Sequence, residues 1–187
     1  MTDKELFVSL LTAAAGKRQG FRDFMEWLEE CTDFFEAPAS AKHHGASAGM
    51  LLRHSLNVYE RMRKRFSDCE ARGIKMDAVI VVSLLHDVCK ANFYEKKEDG
   101  YGYVKDLALP VGHGERSIIM IQQQMTLTYE EIIAIRWHMG AFDDAAKGGS
   151  RTLSEVFNRH PLALMLHLAD MEAAYLDETE EQTCRKE

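Results

Sequence analysis

The stretch Asp77-Ala78-Val79-Ile80-Val81-Val82-Ser83-Leu84-Leu85-His86-Asp87-Val88-Cys89-Lys90 fixes how the rest of the chain is read. It is apolar on nearly every side at helical spacing, so residues 77–90 are expected to form the central, fully buried helix. It then ends in a polar pair, His86-Asp87. A buried polar group without a partner costs about 1–3 kcal/mol. Two partners can relieve that cost. The imidazole and the carboxylate can hydrogen-bond each other, or a metal ion can satisfy both.

Working outward, the pattern predicts an all-α bundle with one small β-hairpin. Helices are expected over 2–17, with Thr2 and Glu5 as a capping box, and over 21–31 after a break at Gly20. Residues 37–49 read as loop. Residues 49–66 read as an amphipathic helix with a basic end (Arg61, Arg63, Lys64, Arg65) that suits the negative end of the helix dipole. Residues 93–105 read as a hairpin turning near Asp99-Gly100. Further helices are expected over 112–125 and 128–139, then an acidic loop over 141–151 and a short helix over 153–158. A last long helix opens at His160 or Pro161 and runs to about 177. The chain is expected to be a single domain over 1–187, with N-terminal helices at 2–31, a core at about 43–177 and a fraying charged tail at 178–187.

The composition excludes several classes. The 187 residues are 46% apolar and 28% charged, with only 3 prolines, the profile of a globular and largely helical protein. Lys plus Arg total 23 against 30 for Asp plus Glu, a net charge of −7, so stable duplex DNA binding is not expected. A small phosphorylated substrate held by a metal is compatible with that charge. Cys31, Cys69, Cys89 and Cys184 form no C-x-x-C pair, and the first residues do not read as a signal peptide. Reduced thiols and a cytoplasmic location are the expectation, with no membrane partner. Nothing in the pattern specifies an oligomeric state.

Two more polar residues lie on apolar helix faces. His54 shares its side of a helix with Leu51 and Val58, and Asp170 sits within Leu166-His167-Leu168-Ala169-Asp170-Met171. In a bundle, His54, His86, Asp87 and Asp170 can converge on one ion that keeps open positions for water. His113 (in Gly112-His113-Gly114) and His138 (in Trp137-His138-Met139) read either as ligands of a second ion or as a helix cap and a packing residue.

The order His54, His86-Asp87, His113, His138, Asp170 resembles the HD-domain superfamily of metal-dependent phosphohydrolases. The resemblance covers about 43–177, and Lys90 stands three residues after the doublet, where that family typically carries a lysine. The layout is closest to HD domains of the bacterial 3′–5′ exoribonuclease and phage type. No OB-fold is expected within the 187 residues, and Met50 stands where a glycine is frequent. The cyclic-di-GMP phosphodiesterase branch fits less well, because Asp99-Gly100-Tyr101-Gly102-Tyr103 sits in the hairpin without a preceding His-His-Glu.

The resemblance implies an HD-type bundle holding one or two divalent ions: manganese, iron, nickel, cobalt or magnesium. It assigns His54, His86 and Asp170 to one ion, His113 and His138 to another, and Asp87 to both as a bridge. It implies that Lys90 contacts phosphate. Arg116 and Arg136, near the ligands, are further candidates for substrate binding. Glu115 reads as an acceptor orienting a ligand histidine or as acid in a helix's first turn. His43 and His44 read as loop residues, His160 as structural, His167 as a core or ligand-supporting residue, and Cys89 as a small buried filler. Phe93, Tyr94, Tyr101 and Tyr103 read as hairpin packing or as surfaces for a base. The function implied is hydrolysis of a phosphate ester, in a nucleotide or short nucleic acid, by metal-activated water, with Asp87 and Lys90 in catalytic roles. The alternatives are a non-hydrolytic nucleotide-binding sensor on the same scaffold and, ranked lower, a binuclear-iron oxygenase.

Overall fold

The computed structural model describes residues 1–41, 46–98, 100–103 and 110–178. Among them the chain is an all-α helical bundle with one two-stranded hairpin, as the sequence predicts. The hydroxyl of Thr2 accepts from the Glu5 amide and the Glu5 carboxylate accepts from the Thr2 amide, closing the expected capping box at the start of α1 (Asp3–Ala15). The fully buried face of α1 is Phe7, Leu11 and Ala15, with Leu6 and Leu10 packing at its edge. Gly20 turns the chain into α2 (Phe21–Glu30) with φ of 80°, and a Cβ there would lie 1.9 Å from the Gln124 carbonyl oxygen. Only glycine fits that position.

The amphipathic segment forms α3 (Met50–Lys64), and a short α4 (Phe66–Glu70), which the sequence pattern does not predict, follows at the end of the helix expected over 49–66. The basic end of α3 does more than face a dipole. Arg61 binds Asp177 and Arg65 binds Glu172, which ties this helix to the end of the last one.

The central helix is shorter than its apolar pattern implies. α5 (Met76–Leu85) buries every residue from Val79 to Leu85 and packs against α1 and α3. It stops at His86. The imidazole Nδ1 donates to the Ser83 carbonyl at 2.9 Å, Asp87 adopts φ −108° and ψ 18°, and a 3-10 turn (Val88–Lys90) follows. Beyond it, Asn92 and Asp33 clasp each other: the Asn92 amide donates to the Asp33 carboxylate at 2.6 Å and the Asp33 amide to the Asn92 side chain at 3.0 Å. The polar end of the central helix is thereby anchored to the N-terminal unit.

The hairpin pairs β1 (Tyr94–Lys97) with β2 (Gly100–Tyr103) antiparallel, Tyr94 opposite Tyr103. Asp99, expected at its turn, lies outside the described residues, as do Val104 and Lys105. α6 (His113–Gln122) and α7 (Tyr129–Trp137) pack so closely that a Cβ on Gly114 would lie 2.5 Å from the Arg136 carbonyl oxygen. The expected acidic loop contains a 3-10 turn (Gly140–Phe142) and α8 (Asp144–Lys147), the latter capped by Asp143. α9 (Thr152–Arg159) and α10 (Pro161–Glu172) follow, and α10 widens into a π-helical turn (Ala173–Asp177). Among the described residues, no helix is long and apolar enough to cross a membrane.

One stabilising contact lies far apart in sequence. Glu131 is fully buried and accepts both Arg18 guanidinium nitrogens, at 2.7 and 2.6 Å, while closing a second capping box with Thr128. Glu131→Ala removes a charged acceptor and a cap together. It is expected to lower stability by about 2–3 kcal/mol in urea denaturation, and Glu131→Gln by less.

Candidate metal centre

Five segments meet at one point. His54 projects from the middle of α3, His86 caps the C-terminus of α5, and Asp87 follows it. His113 opens α6, His138 caps the C-terminus of α7, and Asp170 comes from α10. His54, His86, Asp87 and His138 are buried. The expected convergence of His54, His86, Asp87 and Asp170 is present: His54 Nε2 lies 3.1 Å from Asp170 Oδ1, 3.7 Å from Asp87 Oδ2 and 3.3 Å from His86 Nε2.

The two oxygens of Asp87 face different neighbours. Oδ1 is 2.6 Å from His113 Nε2 and 3.5 Å from His138 Nε2. Oδ2 is 2.6 Å from Lys90 Nζ, 3.5 Å from His86 Nε2 and 3.7 Å from His54 Nε2. Three groups among the described residues could each hold a metal ion: His54, His86 and Asp170; His86, Asp87 and His138; and Asp87, Cys89 and His113. The first agrees with the grouping that the resemblance implies. The others differ from it, because His138 sits with His86 and His113 sits with Cys89.

The ring orientations are set by contacts to Nδ1. His86 and His138 both donate Nδ1–H to the carbonyl three residues earlier, Ser83 at 2.9 Å and Ile135 at 2.7 Å. His54 Nδ1 meets Glu178 Oε1 at 2.7 Å. Each of these three rings therefore presents Nε2 to the centre, the arrangement that metal-ligating histidines use. His138 Nε2 is buried and has no hydrogen-bond partner, and His86 Nε2 faces His54 Nε2. The orphaned His138 nitrogen is costly as it stands and would be relieved by a cation. The residues present fit a metal.

Charge is distributed unevenly over the site. Burial opposes charging His54, but its bonds to Asp170 and Glu178 outweigh that and lift its pKa to about 10. His113 is likewise held up at about 10, against burial, by Cys89 and Asp87. His86, whose ring makes no close carboxylate bond, is pushed down by burial to about 4. Burial would raise Asp87 and Asp170, yet Lys90 with the histidines pulls Asp87 well down and His54 pulls Asp170 down.

A cavity of about 380 Å³ opens over the cluster, lined in part by Ser40, His54, Asp87, Lys90, Asp170 and Tyr175. Lys90 reaches it from the 3-10 turn, not from a continuing α-helix as expected. Arg116 and Arg136 do not line it. Arg116 lies over the Phe93 ring, and Arg136 is bound by Asp143 and Glu115 and stacked on Trp137. Glu115 is thus first-turn acid with an arginine partner. His167 supports the site as expected, donating Nδ1–H to the His138 carbonyl at 2.7 Å, and His160 pairs with Glu130 at the surface. Phe93 packs against Tyr94. His43 and His44 lie outside the described residues, and so do the side chains of Tyr101 and Tyr103.

Sequence reasoning missed Glu178, which it placed in a fraying tail, and the proximity of Cys89 to His113, with Sγ 3.4 Å from Nδ1. A glutamate at a charged terminus carries no signal of burial. The position of Cys89 depends on the 3-10 turn.

A metal can bind His54 and His113 through Nε2 only after each gives up a proton. Titrating the metal-free protein with Zn²⁺ at pH 7.5 in buffers of different ionisation enthalpy is expected to release two or more protons per chain, about one from each ring. Affinity is expected to rise with pH toward 10. Comparison of the chain with protein-family models, curated proteins and solved structures gives no match, so the geometry itself carries the functional reading.

Proposed function

We propose that this protein is a metal-dependent phosphohydrolase that cleaves a phosphate ester of a nucleotide or short nucleic acid. The observation that carries the reading is the buried Asp87 carboxylate, with imidazoles on both of its oxygens and the Lys90 ammonium at its cavity edge. A bound divalent cation lowers the pKa of a water it holds and offsets negative charge on phosphoryl oxygens. His54, His86, Asp87, His138, Asp170 and His113 would hold it, and an imidazole-rich donor set favours a transition metal over magnesium.

The chain's own residues do the rest. Lys90 is charged, its pKa held high by Asp87 against burial, and 18% of its side chain is exposed. It can therefore turn its ammonium toward an anionic group in the cavity while its stem stays packed. Glu178 and the Ser83 and Ile135 carbonyls keep three rings aimed. The apolar side chains of α5 keep water away from the far side of the cluster.

The test is to measure bound metal, then assay p-nitrophenyl phosphate, its bis ester, nucleotides and short oligonucleotides with each ion. His86→Ala is expected to lower kcat about a hundredfold or more. Lys90→Ala is expected to raise KM for phosphorylated substrates while metal content is retained. Hydrolysis at an unchanged rate in His86→Ala would overturn the proposal. Nucleotide binding without turnover would point to a sensor.

A further inference from the structure

The second group of donors around Asp87 includes a residue that packing does not explain. Cys89 is 2% exposed, and its Sγ lies 3.4 Å from His113 Nδ1 and 3.5 Å from Nε2. Its own backbone amide is fixed by the buried Ser117 hydroxyl on α6, at 3.2 Å. The 3-10 turn and α6 therefore hold sulfur and imidazole together from opposite sides. His113 Nε2 touches Asp87 Oδ1 at 2.6 Å, and the same oxygen faces the buried, unpartnered Nε2 of His138 at 3.5 Å. Oδ2 of Asp87 faces the other way, to Lys90, His86 and His54.

We propose that Cys89 is a thiolate ligand of a second metal position, formed with Asp87 Oδ1 and His113 and distinct from the position formed by His54, His86 and Asp170. The inference rests on the metal-dependent reading given above and adds a donor of a different kind to it. On coordination the Sγ–H proton leaves to solvent and the sulfur lone pair binds the cation, with no change of oxidation state. A thiolate beside an imidazole and a carboxylate selects borderline or soft cations such as Zn²⁺, Fe²⁺ or Co²⁺ over Mg²⁺ or Mn²⁺. The two positions are thus chemically unequal: nitrogen and oxygen donors at one, sulfur added at the other.

Cobalt reports this directly, because thiolate ligation gives a near-ultraviolet charge-transfer band that nitrogen and oxygen donors lack. The full chain is used under anaerobic, reducing conditions. Cys31, which is exposed, and Cys184, outside the described residues, are replaced by Ser, and the buried Cys69 by Ala, to remove other thiols. This protein is expected to bind about two Co²⁺ per chain and to show the band. Adding Cys89→Ser is expected to abolish the band and leave about one Co²⁺ per chain. Cobalt bound without the band, or a band that survives Cys89→Ser, overturns the thiolate assignment and leaves the hydrolase reading standing. No cobalt bound at all overturns both. If Cys89→Ser fails to fold, the ¹¹³Cd chemical shift of the protein with Cys89 intact decides. A resonance in the thiolate range supports the ligand, and only nitrogen–oxygen shifts exclude it.

Discussion

A carboxylate 2% exposed at the centre of a helical bundle is the constraint on which this molecule turns. Moving an ion of that size from water into a medium of low dielectric constant costs on the order of 20 kcal/mol before relaxation. Asp87 stays ionised because the fold surrounds it with donors and cations. Lys90 and His113 contact one oxygen each, and His54, His86 and His138 lie within 3.7 Å. The architecture follows from that demand. α5 must stop where its carbonyl is taken by an imidazole, α6 must begin at His113, and α7 must end at His138. Gly114 lets α6 and α7 approach closely enough for the last two to meet.

Opposite charges are interleaved at the centre. The Asp87 and Asp170 carboxylates, with lowered pKa values, face Lys90, His54 and His113, whose pKa values are raised. Burial pushes His86 the other way, toward its neutral form. The cluster still leaves the buried Nε2 of His138 without a hydrogen-bond partner. That unmet nitrogen is what a metal would satisfy. A metal bound here would displace protons from His54 and His113.

The part of this that could be read from sequence is the part governed by local pattern. Val79 to Leu85 form an unbroken apolar run, which marks a buried helix without any tertiary information. A polar doublet at its end, and His54 and Asp170 on apolar faces, announce a buried polar cluster for the same reason. Helix ends were harder. The 77–90 pattern carries no sign that the His86 imidazole takes a backbone carbonyl, because that competition between side chain and ladder is decided by tertiary demand. Arg116 and Arg136 sit near ligands in sequence, yet acidic partners and aromatic rings claim them in space. Pairings separated by more than a hundred residues, Arg18 with Glu131 and His54 with Glu178, leave no trace in periodicity.

The π-helical turn after α10 has one more consequence. By fitting extra chain into one turn, it swings the backbone so that Glu178 arrives beside His54 instead of pointing to solvent. Composition alone would draw the boundary of the working unit one residue earlier, at Asp177. A chain trimmed there would keep every inward-facing donor and still lose the carboxylate that steadies the first histidine. Anyone shortening this protein should count from Glu178 outward.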